Sequence, residues 1–320
     1  MNGTKVISVL NWKGGVGKTT LTHHLGTGLQ ELTLSDIKQY LHISRYPRVL
    51  LIDLDAQCNL SISCLRDDKF ENYVYVNNTP TIKDLIDLFL TQDKPGIEVN
   101  DYILHKLVRR ADKYLYSNVD LLPAHQDLIF SDMNIAAYSK ADFRSNLLNS
   151  DIYKFQILHR ILQQVRKEYD FIFIDCPPNL NFITQNALYA SDYFLVPTIP
   201  DKLSSYGIAS IIHKVNSLNK TFASACEDYT ETKLAGIVAN NVIDRGGPKA
   251  SQANILAVLK TTYPDNLFEC YLTYGDGIAR ASVEGIPVYA LGTSLGNASK
   301  QSLLLKNILK ELLARLEGDQ

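Results

Sequence analysis

Two groups of residues in this sequence have the types and spacing to handle phosphate and a divalent cation. The first is Trp12-Lys13-Gly14-Gly15-Val16-Gly17-Lys18-Thr19-Thr20. Its glycines let backbone N–H groups turn inward around phosphate oxygens. A helix opening at Lys18 would add unpaired N–H groups and a partial positive charge. Lys18 is spaced to reach β- and γ-phosphates, and the Thr19 hydroxyl to ligate Mg2+. The general phosphate-loop pattern requires a glycine where Trp12 stands, so this is a deviant form with a second lysine, Lys13. The second group is acidic. Asp53 and Asp55 end the run Leu50-Leu51-Ile52-Asp53-Leu54-Asp55, two apart and on one face if the run is a strand. Like charges so placed call for a cation nearby. Asp175 closes Phe171-Ile172-Phe173-Ile174 ahead of Cys176-Pro177-Pro178. A carboxylate there suits Mg2+.

These side chains need elements to hold them. Segments 5–11, 48–55, 169–175, 193–197 and 234–240 are apolar on both faces, as buried parallel strands are, and 119–122 is a shorter candidate. Helical patterns fall near 18–32, 125–137, 151–168, 181–190, 204–219 and 249–262. The alternation predicts an α/β fold, a doubly wound, mostly parallel sheet with helices on both faces. Asn11, Asp53, Asp55 and Asp175 then gather at the carboxyl ends of strands, where such sheets bind ligands. Segments near 33–47 and 67–118 read as surface insertions on a single domain spanning 1–320, the second carrying one helix, Thr81 to Leu90.

Composition narrows the function. The chain has 320 residues, 46% hydrophobic and 21% charged, which is enough for a core without staples. A net charge of −2 gives no global sign of a nucleic-acid binder, so any such contact needs a local basic patch. Five cysteines without a C-x-x-C pair argue against a disulfide framework or a four-cysteine zinc site. No apolar run approaches a membrane span. Met1 to Lys5 enters a strand pattern at once, so neither a signal peptide nor a preceding helix-turn-helix domain is expected.

Lys13 to Thr20 resembles the deviant Walker A loop of the ParA/MinD family of P-loop ATPases, and in particular ParA-type partition ATPases without an N-terminal helix-turn-helix domain. The resemblance implies ATP and Mg2+ as cofactors, with Lys13 to Thr20 on the nucleotide. It implies that Lys13 is the signature lysine, reaching the ATP of the other subunit in a nucleotide-sandwich homodimer. Lys18 and Asp55 complete the implied catalytic set. Asp53-Leu54-Asp55-Ala56-Gln57 is similar to the family's D-x-D-P-Q motif, in which the second aspartate orients the attacking water. Ala56 replaces the usual Pro, and Cys58 stands where Gly is common. The implied metal set is Thr19, Asp53 and Asp175. Asn241, three before Asp244-Arg245, matches the asparagine that touches adenine. Asp201 takes the place of a Glu in a stretch near the base.

Family members differ in what they move. A ParA-like reading implies a cytoplasmic, nucleoid-associated ATPase. It would bind DNA without sequence preference, position or segregate a cargo, and be stimulated by a ParB-like partner. A MinD-like membrane-cycling ATPase and a metabolic or carrier relative are the alternatives. The C-terminal segment from Lys300 to Glu317 has a greasy face but no aromatic, and it carries Glu311 and Glu317, so it reads as a packed helix. Basic residues for DNA fall in two clusters: Lys106, Arg109, Arg110 and Lys113; and Arg280, Lys300, Lys306 and Lys310. The single tryptophan, Trp12, stands in the phosphate loop itself.

Overall fold

The computed structural model describes residues 3–93, 95–111, 114–139, 151–291 and 296–318, with backbone alone at 203–206 and 296–297. Lys113 of the first basic cluster lies outside them. The strands are β1 (Lys5–Val9), β2 (Val49–Asp53), β3 (Arg109–Ala111), β4 (Tyr114–Leu115), β5 (Val119–Leu122), β6 (Phe171–Asp175), β7 (Tyr193–Thr198) and β8 (Lys233–Ala239). Six form one sheet in the order β5-β2-β6-β1-β7-β8, every pair parallel. Every residue of β2, β5, β6 and β7 is buried, which is why these runs are apolar on both faces. β3 and β4 make a separate antiparallel hairpin.

The chain leaves β1 toward the β5 edge and returns through β6 to the β8 edge. The reversal falls beside β1 and β6, where open α/β sheets take ligands. Register levels the strand ends there, since Asp175 pairs with Val9 on one side and with Asp53 on the other.

The helices are α1 (Lys18–Gly28), α2 (Leu34–Leu41), α3 (Asn59–Leu65), α4 (Asp67–Glu71), α5 (Ile82–Thr91), α6 (Leu128–Ala137), α7 (Ile157–Val165), α8 (Phe182–Ala190), α9 (Lys202–Ala225), α10 (Ala250–Thr262), α11 (Asp276–Val283) and α12 (Gly296–Gly318). α1 is buried along most of its length and presses on the sheet. A side chain at Gly26 would begin 2.4 Å from Leu51. The 33–47 insertion holds α2, started by a capping box between Thr33 and Asp36. That Thr-x-x-Asp signal stands in the sequence.

The 67–118 insertion is fastened to the sheet edge. Leu104 bridges Leu121, and Asp120 accepts bonds from the Lys106 backbone N–H at 2.9 Å and the Tyr169 hydroxyl at 2.9 Å, with the His105 ring at 3.0 Å. Arg109 is buried and donates to the Glu284 carbonyl at 2.7 Å, while Arg110 pairs with Glu31 at 2.9 Å. Arg109 therefore serves the fold, while Arg110 stays on the surface in an ion pair. α12 is similarly committed. Leu305, Ile308, Leu309, Leu312, Leu313 and Leu316 are fully buried. Lys310 pairs with Asp36 at 2.8 Å, Lys300 with Asp244 at 3.4 Å, and Lys306 lies over the Tyr289 ring. Among the described residues, no helix is long and apolar enough to cross a membrane.

Candidate nucleotide-binding site

β1 delivers the chain to Asn11, whose buried side chain pins the start of the loop. Its Oδ1 accepts from the Lys13 backbone N–H at 2.9 Å, and its Nδ2 donates to the Pro197 carbonyl at 2.8 Å. The loop ends at Gly17, which caps α1 in the left-handed region at φ 97°. No other residue fits there. A Cβ would meet Asn240 Nδ2 at 1.9 Å, and the backbone angle itself disfavours L side chains.

The two lysines occupy different places. Lys18 is buried and its ammonium folds over the loop to the Lys13 carbonyl at 3.3 Å. Burial lowers its pKa, and the charges of Asp175 and Asp55 act against that shift. Lys13 is exposed on the rim and pairs with Asp201 at 2.6 Å. The Asp that replaces Glu in the sequence is thus within reach of the second lysine.

The carboxylates sit side by side below the loop. Thr19 Oγ1 donates to Asp175 Oδ2 at 2.6 Å. Asp175 Oδ1 is buried with no hydrogen-bond partner among the described residues. Asp53 is fully buried. Its Oδ2 accepts from the Ser61 backbone at 2.9 Å and hydroxyl at 2.7 Å, and its Oδ1 from the Asp55 N–H at 3.2 Å. Burial pushes Asp53 up to about 7 against those bonds. Burial, and then the neighbouring Asp53 charge, hold Asp175 well above the usual carboxylate range. A cation is what would let both ionise, and an orphaned acceptor beside a threonine hydroxyl suits Mg2+. Asp55 is half-buried on the loop after β2, and its Oδ1 accepts from the Gln57 N–H at 3.0 Å. Cys58 adopts φ 57°, in the left-handed region that favours glycine. Its thiol, like that of Cys176, is pushed up chiefly by burial and stays protonated.

Most sequence-predicted residues therefore converge: Lys13 to Thr20, Asp53, Asp55 and Asp175 share one rim. Asn241 stands beside them, half-buried at φ 54°, its N–H bonded to Asn240. Two contributors escaped sequence reasoning. Asn240 reaches the loop itself, donating to the Val16 carbonyl at 2.8 Å. Ser61 links Asp53 to the Ala124 N–H at 3.0 Å, tying the acidic pair to the turn before α6. Asn11, which the sequence already puts at a ligand-binding strand end, anchors the loop's first turn. Asn240, like Asn11, is a polar residue at a strand end, which is the signal that could have found it.

The AAA domain family model matches residues 4–227. A ParA family protein of Chlamydia muridarum is 27% identical over 309 residues, covering 97% of this chain and 98% of its own length. The cell division protein PomZ of Myxococcus xanthus is 27% identical, covering 95% of this chain and 78% of PomZ. Among solved structures, Cyanothece McdA in complex with ATP superimposes with a TM-score of 0.71 at 20% identity, covering 99% and 97% of the two chains. With the parallel sheet, the deviant phosphate loop and the paired carboxylates in place, the chain belongs to the AAA domain family as a P-loop ATPase of the ParA/MinD type.

Proposed function

We propose that this chain, one domain over 1–320, is a cytoplasmic, nucleoid-associated ATPase that dimerises on binding ATP. The dimer binds DNA without sequence preference and positions or segregates a cargo. A ParB-like partner stimulates its hydrolysis. The observation that carries this reading is the division of labour between the two lysines. Lys18 is enclosed in its own loop, whereas Lys13 projects from the rim, held by a carboxylate it can exchange for a phosphate. A cation on the rim can stabilise charge on the γ-phosphoryl oxygens of a facing subunit's ATP. Thr19, Asp53 and Asp175 would hold Mg2+, which when bound neutralises phosphate charge. Asp55, on the loop after β2, orients the attacking water. Asn241 faces the base end, beside Asn240.

Two features favour DNA over membrane as the matrix. The greasy face of α12 is spent on the core. Arg245 and Lys249 stand exposed on a glycine loop near the base end of the site, a local basic patch in a chain with net charge −2. The ParA family protein of Chlamydia muridarum and the cell division protein PomZ support a ParA-like role in general.

The deciding experiment incubates the protein and ATP with plasmid DNA and, separately, with anionic liposomes, and measures co-sedimentation. ATP-dependent retention on DNA is expected; retention on liposomes alone would favour the MinD-like alternative. In parallel, Lys13→Ala should lose ATP-dependent dimerisation by light scattering. A Lys13→Ala protein that dimerises and hydrolyses normally would remove the in-trans role.

A further inference from the structure

Asn240 sits at the end of β8, 3% exposed, and uses both ends of its side-chain amide. Nδ2 donates to the Val16 carbonyl at 2.8 Å, and Oδ1 accepts from the Asn241 N–H at 2.8 Å. Its own N–H donates to the Thr198 carbonyl at 2.7 Å, so the residue is strapped to β7 as well. The amide orientation is forced. Reversing it would set oxygen against the Val16 oxygen and N–H2 against the Asn241 N–H.

The consequence follows from peptide geometry. The Val16 carbonyl and the Gly17 N–H belong to one planar trans peptide and point in opposite directions. Tying the carbonyl outward to Asn240 turns the Gly17 N–H inward, to the side where a phosphate loop meets its ligand. Gly17 permits this by having no side chain, since a Cβ would occupy the place of the Asn240 amide.

We infer that Asn240 is a positioning residue that presets the Gly17 N–H toward the nucleotide's phosphates and couples the phosphate loop to the base end at Asn241. This rests on the nucleotide-binding reading above. Free peptides of this kind rotate between orientations, and fixing one before the ligand arrives removes that cost from binding. Asn240 acts on affinity, while the groups at the reacting phosphoryl remain untouched.

The test uses the full chain. Val16-Gly17 is the one Val-Gly pair in the sequence, so carbonyl-13C valine with 15N glycine isolates a single peptide by NMR. In the wild type, ADP·Mg2+ should shift the Gly17 amide proton downfield. Asn240→Leu, similar in shape but without polar ends, should move the Val16 carbonyl resonance before any ligand is added. It should also weaken ATP·Mg2+ and ADP·Mg2+ binding by calorimetry about tenfold. Asn240→Leu that binds both nucleotides as tightly as wild type would overturn the inference. So would a wild-type Gly17 amide that stays still on ADP·Mg2+ binding, a result that needs no variant to fold. If the wild type binds neither nucleotide while Lys18→Ala is indistinguishable from it, the underlying reading falls instead.

Discussion

At the residue scale, the site is organised by burial more than by charge count. Asp53 and Asp175 are buried together, whereas Asp55 remains at the rim, half-buried and hydrogen-bonded along its own loop. The proposed roles divide along that separation, the buried pair for a cation and the rim carboxylate for the attacking water. Asp55→Ala should therefore keep ATP-dependent dimerisation in light scattering while phosphate release falls to background. Undiminished release would move the water-orienting role elsewhere. A second buried group, His24, reports on pH. Its Nδ1 donates to the Thr20 carbonyl at 2.8 Å and its Nε2 accepts from the Val288 N–H at 3.0 Å, so the ring is neutral. Burial takes its pKa from 6.5 to about 4. The unfolded chain thus binds the extra proton between those values. The stabilisation is complete above pH 6.5 and is lost as pH falls toward 4, by up to ~3 kcal/mol. Urea midpoints of wild type and His24→Gln should converge over that interval; parallel curves would contradict the assignment.

At the element scale, α1 is the structural hub. It carries Lys18 and Thr19 at its start, packs on the sheet at Gly26, and meets the 288–289 segment through His24, whose carbonyl accepts from the Tyr289 hydroxyl at 2.8 Å. The β3–β4 hairpin braces the turn just before that segment, because Arg109 donates to Glu284. Removing a buried charged donor leaves its carbonyl partner unsatisfied. Arg109→Ala should cost about 2 kcal/mol in urea unfolding and leave ATP affinity unchanged. A variant with full stability but weaker DNA retention would instead restore the basic-patch reading of this hairpin.

At the scale of the whole molecule, the sheet gathers its strand ends onto one rim. Trp12 lies on that rim, half-buried against the core, with its indole N–H buried and without a hydrogen-bond partner among the described residues. As the single tryptophan it reports the rim alone. Saturating ATP·Mg2+ should change its emission, and more so under conditions where the dimer forms. Unchanged emission would argue against closure of the loop and a facing subunit over it.

Much of this was legible in the residues themselves. Strands buried on both faces must be apolar throughout, so the sheet announced itself as continuous apolar runs, and the phosphate loop and strand-end carboxylates are local features with local steric and electrostatic reasons. The Thr33 capping box was equally local. Tertiary structure alone decided which distant residues meet. Asn240 meets Val16 across 224 positions, Lys13 meets Asp201 across 188, and Arg109 meets Glu284 across 175. Local periodicity encodes backbone conformation and which face is buried. It carries no information on which strand lies beside which, and that neighbourhood, set by the order β5-β2-β6-β1-β7-β8, brought Asn240 to the loop and turned an expected surface arginine into a buried brace.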